Sequence, residues 1–240
     1  MKWVVDRVAS CASTMDETRK RARAGAPEGS VIVAEEMTAG RGQRGHTWHA
    51  PKGGLYLSFV VRDLSDARLL TLAMGNAVGD ALEVAGVEPR LKWVNDVFVG
   101  DRKIAGILVE GEWTGPKLDF LVVGIGVNVN GAASRFPNGL GTTATTLEEA
   151  LHCESCIPDL ESLMLDRVGV WLEALRARDP TSVLAAFRAR DWLKGKRVSV
   201  PSGGHDVQGV ADGVDEQGRL RIVTAGGPRL VDQGPATVMA

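Results

Sequence analysis

Three glycines in a G-x-G-x-x-G spelling, Gly40, Gly42 and Gly45, follow an apolar run at residues 30–36, and what comes next decides which folds are open to this chain. A dinucleotide-binding turn needs a helix to begin at its last glycine, because the pyrophosphate rests on that helix N-terminus. Here the continuation is HTWHAPKGG, with Pro51, Gly53 and Gly54 inside nine residues. No helix starts there, so the doubly wound dinucleotide fold is excluded, and the P-loop spelling is absent. The stretch is a long irregular loop between two strands. Its glycines let the backbone approach a ligand closely while Arg41, Arg44 and Lys52 supply positive charge, a combination suited to anions, phosphate above all. An exposed loop with solvated arginines has the same composition, and this stretch alone does not separate the two readings.

The rest of the chain alternates between the two regular periods. Residues 3–9, 30–36 and 54–62 read as strands, and 13–25 as a helix with Thr14 and Glu17 in capping-box spacing and Gly25 at its stop. From Asp66 to Ala85 the apolar residues keep helical spacing up to Gly86. Short strands are expected at 91–93, 96–99, 103–110 and 118–127, then helix from about 159 to 190. After residue 192 the texture changes to short β-like pieces punctuated by SGG, DEQG and AGGP, which reads as a small antiparallel barrel. The expected organisation is therefore α+β, with a catalytic unit over 1–192 and a β unit over 193–240.

Two further clusters carry chemistry. LKWVNDVFVGDRKIAGILVEGE, residues 91–112, places Lys92, Asn95, Asp96 and Lys103 on two strands joined by a turn. Lysines flanking an aspartate suit a triphosphate and its metal, the lysines as point charges and the carboxylate as a Mg²⁺ ligand. An exposed hairpin kept soluble by its charges would read the same way. FLVVGIGVNVNG, residues 120–131, is a buried strand leaving through Gly124, Gly126 and Asn128. His152, Cys153 and Cys156 in HCESC offer a lone C-x-x-C, which is weak support for a metal site.

Charge and cysteine content bound the function. Twenty-eight Lys and Arg against 30 Asp and Glu give a net charge of −2, which supplies no footprint for coating DNA. Three cysteines do not describe a disulfide framework, and no apolar run reaches the ~18 residues of a membrane span or forms a signal-peptide core. A soluble cytoplasmic protein is expected, with no membrane and no DNA partner.

In order, AGRGQRGHTW, PKGGLYLS, KWVND, RKIAGILVE, GIGVNVN and the tail GVDEQGRLRI resemble the biotin protein ligases, from Ser13 to about Gly234. The resemblance implies a mixed β-sheet with helices on one side, related to lipoyl ligases, followed by an SH3-like barrel. It implies biotin and ATP as substrates with Mg²⁺, biotinyl-AMP as intermediate, and a biotin carboxyl carrier protein of a carboxylase such as acetyl-CoA carboxylase as partner. By that likeness Lys103, Arg41 and Lys92 are catalytic. Ser13, Thr14, Gly40, Arg41, Lys103, Gly106 and Gly124 would bind biotin. Arg41, Gln43, Arg44, Trp48, Asn95, Asp96 and Asn128 would bind the adenylate, with Asp96 on the metal. For Ser13 and Thr14, helix capping is the alternative use of the same hydroxyls.

The chain begins on the first catalytic strand, so the resemblance implies a ligase without the repressor's DNA-binding domain. Relatives include monomers and dimers, which leaves a homodimer open. Several positions depart from the family pattern: Met37 stands where a glutamine is usual, Gln43 and His46 where arginines are common, and Val94 in place of a proline. Met37 bears on which acid is accepted, since an unmatched ureido group in a buried slot costs about 1–3 kcal/mol. A lipoate or octanoate ligase or transferase of the same fold is the alternative. A non-catalytic biotin or nucleotide sensor is the third reading, and loss of Lys103 would have suggested it.

Overall fold

The computed structural model describes residues 1–64 and 67–239. A seven-stranded sheet has the order β1-β2-β3-β7-β6-β5-β4, built from Val4–Cys11 (β1), Ser30–Met37 (β2), Leu55–Val61 (β3), Pro89–Lys92 (β4), Asp96–Val99 (β5), Arg102–Thr114 (β6) and Lys117–Val127 (β7). The β1–β2 pair is parallel and the others antiparallel, so the sheet is mixed.

Central strands read as almost unbroken apolar runs because both of their faces are covered. On β3, Leu55, Leu57, Phe59 and Val61 join the large core beneath helix α2 (Leu70–Val84), which α4 (Ile157–Arg176) and α5 (Pro180–Ala189) back. Val60 points the other way, into a smaller cluster with Met15 and Ala22 of helix α1 (Thr14–Arg23) and Phe120 and Val122 of β7. Strand alternation thus sends successive residues to opposite faces, and each fully buried Leu or Phe contributes roughly 1.5–3 kcal/mol. Helices flank the sheet on both faces, not on one as the resemblance implied: α1 covers the face opposite to α2.

Three local expectations change. The helix read from Asp66 starts at Leu70, and Asp66 lies outside the described residues. The stretch from 159 to 190 is two helices, because Asp179 caps a new one, accepting from the Ser182 backbone N–H at 3.1 Å, with Pro180 in its first turn. No capping box forms on α1. Ser13 is its N-cap residue but makes no side-chain cap bond, and the Thr14 hydroxyl lies 2.7 Å from that of Ser58 across to the sheet.

Beyond a short α3 (Leu147–Leu151), strands Arg197–Ser202 (β8), His205–Val214 (β9), Leu220–Thr224 (β10), Gly227–Val231 (β11) and Thr237–Val238 (β12) form an antiparallel sheet of order β11-β10-β9-β8-β12. Its Val198, Val200, Ala211, Leu220 and Ile222 belong to the same apolar core as α2. The Trp93 indole N–H donates to the Gly218 carbonyl at 2.9 Å, and the Arg188 guanidinium to that of Val214. Among the described residues no helix is long and apolar enough to cross a membrane.

Candidate active site

A cavity of about 200 Å³ lies on the α1 face of the large sheet. Two neighbouring rows of that face make its floor. One row runs Ser58, Gly124, Leu108 across β3, β7 and β6; the next runs Tyr56, Gly126, Gly106, Asp96 and ends beside Lys92 on β4. Three glycines in these rows leave a trough where side chains would otherwise stand. A Cβ on Gly126 would lie 2.7 Å from Trp48 Cε2, and one on Gly106 3.0 Å from Trp48 Cζ3, so the Trp48 ring rests on bare backbone.

The glycine loop forms the roof. It is pinned by Trp48 N–H to the Gly40 carbonyl at 2.9 Å, by Gly42 N–H to the His46 carbonyl at 2.7 Å, and by bridges from Met37 to Ala50 and Arg41 to Thr47. His49 meets Phe136 edge-on with ring centroids 5.5 Å apart. Arg41 reaches back to α1, its Nη2 donating to Asp16 at 2.6 Å. The Trp48 indole N–H is buried and has no partner among the described residues.

The first row gathers hydroxyls. Ser13 and Thr14 are buried, and Thr14 is tied to Ser58 as above and also approaches the Met37 sulfur, its N–H at 3.3 Å and its hydroxyl at 3.5 Å. Met37 therefore lines the cavity beside the hydroxyls as a weak acceptor, in the place where the family usually has a polar amide. Neither side chain caps α1, and the Thr14 hydroxyl is committed to the sheet through Ser58.

The second row gathers charge. Lys103 Nζ lies 2.5 Å from Asp96 Oδ1 and 5.3 Å from the Trp48 ring centre. Lys92 Nζ faces the stacked rings of Phe98 and Trp192 at 5.5 and 5.9 Å. Burial pushes the Lys92 ammonium below its ordinary value, Asp96 pulls it back up, and Lys103 and Lys196 add to the lowering. Asn95 is fixed by its amide donating to the Ile107 carbonyl at 3.0 Å. The turn that presents Asn95 and Asp96 has a cis bond at Trp93–Val94, where the family pattern has proline.

Of the expected site residues, Ser13, Thr14, Arg41, Gln43, Trp48, Lys92, Asn95, Asp96, Lys103, Gly106 and Gly124 line this one cavity. Three expected positions do not. Gly40 closes the loop instead, since a Cβ there would meet the Trp48 carbonyl oxygen at 2.5 Å. Arg44 does not line the cavity but stands behind its wall, its Nη2 3.6 Å from where a Cβ on the lining Gly234 would be. Asn128 is buried, its amide donating to the Thr145 carbonyl at 3.1 Å, which fixes the chain after β7. Lys52 also lies elsewhere. Cys153 and Cys156 are exposed, and among the described residues no three His, Cys, Asp or Glu side chains group as a metal site.

Sequence reasoning missed Met15, Ser58, Gly126 as a floor position, and Gly234, Pro235 and Ala236 of the C-terminal segment. Ser58 carried a signal: it is the one small hydroxyl in the apolar run LYLSFVV. Nothing local marks 234–236.

The description "Biotin/lipoate A/B protein ligase family" fits residues 8–128, and "Biotin protein ligase C terminal domain" fits residues 194–234. The chain is 37% identical to the biotin–[acetyl-CoA-carboxylase] ligase of Mycobacterium tuberculosis, over 96% of this chain and 87% of that protein. It is 36% identical to the bifunctional ligase/repressor BirA of Bacillus spizizenii over 58% of this chain, a match that spans 44% of the length of that relative. The solved structure of the biotin protein ligase from Aquifex aeolicus in complex with biotin and ATP superposes with a TM-score of 0.87 at 26% identity, covering 98% of each chain.

Proposed function

The chain belongs to the biotin/lipoate A/B protein ligase family, and from that premise we propose that it is an ATP-dependent biotin–protein ligase. It activates biotin as biotinyl-AMP and passes the biotinyl group to a lysine of a carboxylase carrier domain, that of acetyl-CoA carboxylase or a related enzyme. The observation that carries this reading is the cavity itself. Buried hydroxyls and a glycine-floored apolar slot lie one sheet row away from Asp96 and Lys92, and Lys103 joins them through its ion pair with Asp96.

A biotin carboxylate oxygen attacks the α-phosphorus of ATP; the new P–O bond forms as the bond to pyrophosphate breaks. Both reactants are anions, so the barrier falls where fixed cations meet the charge that develops between them. Lys103, held in place by Asp96, is the cation at that junction, with Lys92 and Arg41 beside it. Ser13 and Thr14 take the ureido end of biotin, and Gly106 and Gly124 leave room for its rings. Gln43, Trp48 and Asn95 serve the adenylate. A Mg²⁺ ion arriving with the triphosphate would neutralise phosphate charge, and Asp96, the sole carboxylate among the cavity-lining residues, would hold it. In the second half, the carrier amine attacks the biotinyl carbonyl, AMP departs with the shared oxygen, and the amine releases a proton. No enzyme nucleophile is needed, and none of the three cysteines, Cys11, Cys153 and Cys156, lines the cavity. That weighs against an acyl transferase working through a thiol. The biotin-type C-terminal match weighs against a lipoate ligase.

The half-reaction tests this without a carrier. With Mg²⁺ present, the protein should exchange labelled pyrophosphate into ATP only when biotin is added. Exchange supported by lipoate or octanoate in place of biotin, or none with any acid, would overturn the reading.

A further inference from the structure

Arg41 is held in an unusual way for a residue proposed to grip an anion. Its Nη2 alone is engaged, by Asp16 Oδ1 at 2.6 Å and, more distantly, by Glu110 Oε2 at 3.7 Å. Among the described residues Nε and Nη1 have no protein partner. A guanidinium carries five N–H donors in a rigid plane, so fixing one corner aims the remaining edge. Asp16 is itself braced: Arg19 pairs with it at 3.3 Å and with Glu110 as well. Asp16 stands in the first turn of α1, one residue beyond Ser13, Thr14 and the lining Met15, so the same turn supplies the cavity wall and the anchor for the roof.

We propose that Asp16 is a positioning residue. It anchors Arg41 by one nitrogen so that the free edge of the guanidinium is presented to an anionic group of the bound substrate, a carboxylate or a phosphoryl group. The proposal rests on the ligase reading above and adds to it the residue that orients Arg41. Removing the Asp16 carboxylate leaves Arg41 charged but unaimed, and affinity for the anion falls. An asparagine retains an oxygen at the same reach and holds the aim in part.

The test is calorimetric binding of two probes in separate arms, biotin alone for the carboxylate and magnesium pyrophosphate for the phosphoryl group. The proteins are wild type, D16A, D16N, R41A and the D16A/R41A double variant. D16A should weaken one probe about tenfold, with D16N intermediate, and the arm that responds identifies the group Arg41 holds. In the R41A background, D16A should cost nothing further, because its effect runs through Arg41. An equal loss in both backgrounds would make Asp16 a structural residue, and no loss with D16A would also overturn the proposal. Wild type that binds neither probe would remove the ligase reading itself, and this inference with it.

Discussion

Lys92 shows most plainly how a single residue here trades stability for use. Burial lowers the pKa of its ammonium in the fold, so below that lowered value the folded state carries the full cost of a desolvated charge. As pH rises from there toward the ordinary lysine value, the unfolded chain binds more protons than the folded one, and stability rises. Lys92→Met should therefore raise the midpoint of thermal unfolding at pH 7 by about 2 °C, with the advantage shrinking toward alkaline pH, while ligation activity falls. Unfolding of both proteins monitored by circular dichroism from pH 7 to 10 checks this; a destabilised K92M would show that the contacts with Phe98 and Trp192 outweigh the burial cost. At this scale the sequence was informative for the hairpin charges and less so for the loop, where Arg41 lines the cavity but Arg44 and Lys52 do not. Lys92, Asp96 and Lys103 meet in space as their spacing on a hairpin suggests. It was uninformative for Asn128, whose side chain was free to serve either a ligand or the backbone of residue 145; that choice depends on a chain segment seventeen residues away.

Among the elements, strand parity is what builds the site. Gly106 and Gly126 face each other across β6 and β7, and the missing side chains are the seat of Trp48, which in turn sets the height of the roof loop. Gly126→Ala would put a methyl 2.7 Å from the indole, in contact with three of its ring atoms within 2.9 Å. Pyrophosphate exchange should fall roughly tenfold or more with a thermal midpoint within a few degrees of wild type, because the displaced loop is at the surface. An unchanged exchange rate would show that Trp48 does not set the roof. The strands of the large sheet and helices α1 and α2 were legible as periodic runs, whereas α4 and α5 read as one helix and neither α3 nor β12 carried a signal. Which face each glycine opened was not, since that depends on the register of β3, β7 and β6, which is a long-range property. Helices on both faces follow from the same parity: β3 is buried at its odd and even positions alike, and a run buried on both sides needs cover on both.

For the whole molecule, the expected division at residue 192 separates two sheets but not two cores. Val198, Leu220 and Ile222 share an apolar cluster with α2, Gly218 lies close to Leu69 and Leu72, and residues 234–236 complete the cavity wall. Calorimetry should accordingly show one cooperative unfolding transition for the chain; two resolved transitions would restore independent domains. This joining was hidden from the sequence because the residues that make it are ordinary strand residues and turn residues with no local mark. The central claim is tested most directly by the complete reaction: intact-mass measurement of a biotin carrier domain after incubation with the protein, ATP and Mg²⁺, with biotin, lipoate or octanoate supplied separately. The expected result is a single biotinyl addition on one lysine, no addition from the other acids, and none with Lys103→Ala. Transfer of lipoate or octanoate in preference to biotin, or full biotinylation by Lys103→Ala, would contradict it.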